Sequence, residues 1–198
     1  MSEAIITMVL GRRGSGKSVK VRNLTKQLDR VVYYDTLGKD YTDGVIIYNL
    51  DDLKAFWRRH YKGKFRIIYR PENPEEEFPA VCNLVYTCTS MHFVVEELDT
   101  YFRQGQTCRE FNRLVYRGRH ANIDMIGVSQ RPFGYGRSLT SQAKEWYVFS
   151  TREPDDLTWM KKYFGQEFTA QLEQLNPQDY QYLHWVDTGE MEISKDVF

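Results

Sequence analysis

The sequence predicts an α/β sandwich with a mainly parallel central sheet and a C-terminal hairpin. Three observations predict it. Apolar, β-branched and aromatic runs alternate with helical stretches along the 198 residues, the pattern of strands joined by crossover helices. The first run, Ile5-Ile6-Thr7-Met8-Val9-Leu10, passes directly into the glycine-rich segment Gly11-Arg12-Arg13-Gly14-Ser15-Gly16-Lys17-Ser18. The last two runs, Tyr180–Val186 and Met191–Ile193, are split by Asp187-Thr188-Gly189, a turn signal between strands.

In chain order, a strand over 5–10 feeds a helix over 16–28. Val31-Val32-Tyr33-Tyr34 makes the strand 31–35, and short apolar runs make strands at 45–49 and 65–69. Between these two, Asp51-Asp52 before Leu53 starts a helix over 51–61. A helix over 75–89 leads to the strand Met91-His92-Phe93-Val94-Val95. A helix over 107–118 precedes the strand 124–129, and 145–150 is the next strand. Glu153-Pro154-Asp155 before Leu157 starts a helix over 153–164, and a last helix spans 167–175. No linker-like stretch divides the chain, so residues 1–198 are expected to form one domain.

Composition excludes several classes. With 41% hydrophobic and 15% aromatic residues the chain is not disordered. The net charge of zero rules out a globally basic coat for nucleic acid, but not a local basic surface. No apolar run is long enough to span a bilayer. The N-terminus, with Glu3, carries no signal-peptide pattern. Cys82, Cys88 and Cys108 are odd in number and lack metal spacing, as reduced core thiols would be. The four histidines are scattered and suggest no metal site.

The chemistry begins at Gly11–Ser18, which fits the phosphate-loop pattern G-x-x-x-x-G-K-[ST] between a strand and a helix start. There the backbone of Gly11, Arg12, Arg13, Gly14, Ser15 and Gly16 turns its N–H groups toward phosphate oxygens. Lys17 is expected to reach the β- and γ-phosphates, and the Ser18 hydroxyl to ligate Mg²⁺. A nucleoside triphosphate with Mg²⁺ is therefore the expected ligand.

The strand 91–95 ends in Glu96-Glu97. A strand ending in acid beside a phosphate loop supplies a carboxylate for magnesium and a second to polarise water. Glu96 is assigned to the metal and Glu97 to the catalytic base, with Asp99 as an alternative or partner for the metal. The competing reading is that the pair caps the next helix. Gln130 ends another core strand, where it can orient water or sense the γ-phosphate, and Asp35 ends a strand in the same layer. The alternative for either is a solvated strand end.

Arg117-Gly118-Arg119-His120 offers guanidinium groups for phosphate charge, Arg119 ahead of Arg117, or simply a positive helix end. The segment 131–137, Arg131-Pro132-Phe133-Gly134-Tyr135-Gly136-Arg137, is the best functional loop candidate. Trp57–Arg66 mixes bases and rings, as a DNA-contacting patch does, though a solvated helix face has the same composition.

Taken together, Gly11–Ser18, the strand ending Glu96-Glu97, Arg117–His120 and Val128-Ser129-Gln130-Arg131-Pro132 resemble the FtsK/HerA superfamily of DNA-pumping ATPases. Asp35 through Tyr41 resembles that superfamily's aspartate-bearing loop. The similarity runs from about residue 4 to 151 and is loose beyond. It implies a P-loop NTPase sandwich of the RecA/ASCE type, with an arginine finger near the start of the Gln130 strand. Within the superfamily, a small chain without appended domains is similar to the genome-packaging ATPases of icosahedral viruses with an internal membrane.

The resemblance implies an ATP-hydrolysing motor moving double-stranded DNA. Such a motor works as a hexameric or pentameric ring, in host cytoplasm or at the packaging vertex of a virion. A capsid-vertex or membrane-associated viral protein would be its docking partner. Two other readings stay open: a P-loop kinase acting on a nucleotide or small molecule, and a nucleotide-gated assembly or secretion factor similar to zonula occludens toxin.

Overall fold

The computed structural model describes residues 4–102, 106–132 and 137–196. In chain order they form β1 (Ile6–Leu10), α1 (Lys17–Thr25), β2 (Arg30–Tyr34), β3 (Val45–Ile47), α2 (Leu50–His60), β4 (Phe65–Tyr69), α3 (Pro74–Cys88) and β5 (Met91–Val95). There follow α4 (Arg109–Arg117), β6 (Ile123–Ser129), α5 (Arg137–Thr140), β7 (Ala143–Phe149), α6 (Pro154–Phe164), α7 (Gln166–Glu173), β8 (Gln181–Val186) and β9 (Met191–Lys195). Short 3-10 turns sit at Leu98–Tyr101, Gly118–Ala121 and Pro177–Asp179.

Among the described residues the strands make one sheet in the order β3-β4-β2-β5-β6-β1-β7-β8-β9. The pairs from β3 through β7 are parallel. β8 runs antiparallel to β7, and β9 antiparallel to β8. This is the expected mainly parallel sheet with its closing hairpin. β6 lies between β1 and β5, so the strand that leads to Gln130 separates the phosphate-loop strand from the acidic strand.

Both faces of a parallel sheet are covered, which is why its strands read as unbroken apolar runs. Alternation sorts their side chains. Met8, Leu10, Val32, Tyr34 and Phe93 belong to the larger core with Leu53, Trp57, Phe78, Phe111, Leu114, Met160 and Phe168 from α2, α3, α4, α6 and α7. Val9, Val31, Tyr33 and Val94 point the other way, to Val21 of α1 and to Tyr41. Trp146 of β7 is fully buried and packs against Trp159, Tyr163 and Phe164 of α6. That aromatic cluster packs α6 onto the sheet.

Local chemistry moves several ends from where the sequence places them. α1 starts at Lys17 because Gly16 is left-handed, with φ 104. β3 stops at Ile47 because Asn49 leaves the strand to cap α2, its side chain accepting from Asp52 N at 2.9 Å. α4 starts at Arg109 because Cys108 is extended. Pro154 occupies the first turn of α6 as expected. In the 131–137 loop, residues 133–136 lie outside the described residues, and α5 begins at Arg137.

Candidate nucleotide site

In a parallel sheet the carboxyl ends of the strands open the ligand crevice. Here that edge carries the segment after β1, the residues after β5 and the end of β6. Gly11 N donates to Ser129 O at 3.2 Å and Glu96 N to Tyr34 O at 3.2 Å, so the site residues continue the ladder. The cleft they form encloses about 520 Å³. It is lined by Arg13, Gly14, Gly16, Lys17 and Ser18 of the loop, by Glu96 and Glu97, and by Ser129 and Gln130. Sequence reasoning named most of this group, and the fold brings it together.

The loop has no room for side chains where it turns tightest. A Cβ on Gly11 would sit 2.6 Å from Phe149 Cβ and 2.7 Å from Ser15 Oγ. At Gly16 the left-handed φ of 104 favours glycine, and Phe149 and Tyr180 stand against it at 3.2 and 3.4 Å. The Lys17 ammonium donates to Gly11 O at 2.6 Å and Arg12 O at 3.0 Å, strapping the loop. Burial draws the Lys17 ammonium below its ordinary pKa, opposed by the carboxylates of Glu96, Asp40, Asp99 and Glu97. Arg12 and Ser15 lie toward a smaller cavity of about 180 Å³, beside Phe149, Ser150 and Gln181.

Asp40 and Tyr41 are the residues the sequence did not assign individually. The Ser18 hydroxyl donates to Asp40 Oδ2 at 2.9 Å, and the Tyr41 hydroxyl donates to Glu96 Oε1. Asp35 accounts for their position. It was expected at the nucleotide, but its buried carboxylate instead accepts from Arg70 Nε at 3.0 Å and Gly38 N at 3.0 Å, and it does not line the cleft. Arg70 also donates to Tyr41 O at 2.9 Å. Asp35 therefore folds the 35–41 loop over α1 and delivers Asp40 and Tyr41 to the site. The signal was the acidic loop itself, whose second aspartate is the one that faces the cleft.

The two glutamates differ. Glu96 is 2% exposed, and burial pushes its carboxyl up to about 7, against the pull of the Tyr41 hydroxyl and the Lys17 ammonium. Glu97 is half-buried, left-handed at φ 49, and accepts from Thr36 Oγ1 at 3.1 Å. It stands at the head of the 3-10 turn, but its side chain makes no capping bond there. Asp99 is turned to Ser129, whose Oγ lies 2.6 Å from Asp99 Oδ1, and it does not line the cleft.

The residues present fit a nucleoside triphosphate with Mg²⁺. Ser18, Asp40 and Glu96 supply hard oxygen donors, the kind magnesium takes, next to a cationic glycine-rich loop. Among the described residues no cluster of three or more His, Cys, Asp or Glu side chains could hold a metal unaided. Magnesium sites of this kind complete their shell with phosphate oxygens and water.

Glu96 makes stability depend on pH. The folded protein keeps this proton up to about pH 7, whereas a free carboxyl loses it near 4.5. Between those values the folded state binds more protons than the unfolded chain, so stability falls as pH rises. The expected loss is on the order of 3 kcal/mol from pH 4.5 to 8, relative to Glu96→Gln. Urea denaturation of both proteins at the two pH values, with chelator and no nucleotide, measures it. Equal pH slopes for the two proteins would contradict it.

Arg117 and Arg119 are not part of this cleft. Both are exposed, around the 3-10 turn Gly118–Ala121 that leads into the amino end of β6. The cleft lies at the carboxyl end of the same strand. In the 57–66 patch, Trp57 is buried against Phe65, and Arg66 is tied to Asp43, Thr25 O, Leu28 O and Tyr33. Arg58, Arg59, His60, Tyr61 and Lys62 remain exposed. Arg131 lies just past the cleft and pairs with buried Asp156 of α6 at 3.2 Å.

No protein-family model and no curated protein matches the sequence significantly. Solved structures do. The chain matches the genome packaging NTPase B204 of Sulfolobus turreted icosahedral virus 2, solved with ATPγS, at a TM-score of 0.80 and 21% identity over 100% of both chains. It matches B204, the DNA-packaging ATPase of Sulfolobus turreted icosahedral virus, at a TM-score of 0.76 and 19% identity over 100% of both chains. The N-terminal domain of zonular occludens toxin from Neisseria meningitidis matches at 0.56 and 13% identity, over 100% of this chain and 95% of that one. The fold is that of the P-loop packaging ATPases.

Proposed function

We propose that this chain, which has the fold of the viral packaging ATPases, hydrolyses ATP to move double-stranded DNA into a viral capsid. The observation that carries the reading is the assembly of loop, paired glutamates and Gln130 in one cleft, on a fold that matches B204 from end to end. Lys17 and the loop amides would hold the phosphates. Ser18, with Asp40 and Glu96 behind it, would hold magnesium, which supplies charge neutralisation at the phosphates when bound. Glu97 takes a proton from the water whose oxygen bonds to the γ-phosphorus as the bond to the β–γ bridging oxygen breaks. Gln130 orients that water.

Glu97→Gln is nearly isosteric but is a poor proton acceptor. It is expected to bind ATP normally and lose about 10²–10⁴ in kcat. If Glu96→Gln alone stops the chemistry while Glu97→Gln turns over, the two roles are exchanged.

Coupling to DNA is tested by the rate itself. Double-stranded DNA is expected to stimulate hydrolysis, and its binding to weaken as salt rises, because phosphate contacts release counterions. A rate indifferent to DNA favours the assembly-factor reading that the zonular occludens toxin fold also fits. A rate raised by a nucleoside monophosphate favours a kinase. A ring of copies, docked at a capsid vertex or on a membrane-associated viral protein, is the form in which the motor would work. Among the described residues no helix is long and apolar enough to cross a membrane.

A further inference from the structure

The proposed catalytic groups all come from one side of the phosphate loop. Glu96 and Glu97 follow β5 and Gln130 follows β6, and both strands lie on the same side of β1 in the sheet. A nucleotide whose γ-phosphate meets those groups is placed to direct its base to the other side, toward β7 and β8. Tyr180 stands there. It lines the cleft and is 39% exposed. Tyr182 pairs with Phe149, so residue 180 lies just beyond the carboxyl end of β7, level with the loop. Its ring edge, Cδ1, is 3.4 Å from where a Cβ on Gly16 would be.

The segment before Tyr180 is built rather than slack. Asn176 Oδ1 accepts from Gln178 N at 3.1 Å, and Asn176 Nδ2 donates to Asp179 Oδ2 at 2.8 Å. Asn176 N donates to Gln181 Oε1 at 2.9 Å, closing the turn around Tyr180. Tyr180 itself is left-handed, φ 52 and ψ 34, a conformation a residue with a Cβ adopts only when its surroundings hold it.

We infer that Tyr180 is the platform on which the nucleobase of the bound nucleotide stacks. This rests on the reading of the cleft as a nucleoside triphosphate site and adds its base subsite. An aromatic face stacks any base, because every base presents a π-face. Tyr180 therefore makes the site favour a nucleotide over a bare phosphate chain.

The test is calorimetric titration of wild type, Tyr180→Ala and Tyr180→Phe with magnesium ATPγS and with magnesium tripolyphosphate, which has no base. Tyr180→Ala is expected to weaken ATPγS on the order of tenfold and to leave tripolyphosphate unchanged. Tyr180→Phe is expected to bind both like wild type. Unchanged ATPγS binding by Tyr180→Ala would overturn the inference. So would equal weakening of both ligands, which would make the ring a prop for Gly16. Wild type that binds neither ligand would overturn the nucleotide reading itself, and the base subsite with it.

Discussion

Lys17→Ala is expected to lose hydrolysis by at least about 10²–10³-fold, the cost of deleting one preorganised group that stabilises developing transition-state charge. The ammonium reaches back to the loop's own backbone, 2.6 Å from Gly11 O. It is also partly desolvated, which strengthens its interaction with phosphate. The fold loses two carbonyl contacts and the ammonium's attraction to the neighbouring carboxylates, and the variant is expected to remain folded and melt cooperatively. Steady-state phosphate release, with circular dichroism as the check on folding, measures both. Near-normal turnover in the variant would remove the loop from the chemistry.

Arg119→Ala is expected to bind ATP normally and lose about 10³–10⁵ in kcat, the range of an arginine finger. In the ring proposed above, Arg119 would act across a pair of subunits. Arg119 is at the amino end of β6, while the cleft of the same chain is at the carboxyl end. The guanidinium would therefore serve the site of a neighbour. Mixing Arg119→Ala with Lys17→Ala subunits is the decisive experiment. Each is inactive alone, but a mixed assembly contains interfaces with an intact loop on one side and an intact arginine on the other. Partial recovery of activity is the expected result. Near-normal activity of Arg119→Ala alone would reduce the residue to a helix-end charge and turn attention to Arg117.

The strands were legible because a sheet covered on both faces leaves continuous apolar runs, and β4 and β5 have the ends the sequence predicts. The loop, Glu96, Glu97 and Gln130 were legible because each follows such a run directly in the chain. Asp40, Tyr41 and Tyr180 were not. Their places depend on contacts 22 residues away for Ser18 and Asp40, and 55 for Tyr41 and Glu96. No local pattern encodes such contacts. Asp35 misled because a strand-end aspartate reads the same whether it faces a ligand or, as here, the buried side of Arg70.

Tyr41 belongs to two structures at once. Its ring stacks on Tyr33, with centroids 4.3 Å apart, inside the core under α1. Its hydroxyl holds the carboxylate assigned to the metal. Heat resistance and turnover thus meet in a single side chain. A substitution at 41 will shift the melting temperature and the hydrolysis rate together. Neither measurement alone can then be read as a lesion of the fold or of the chemistry.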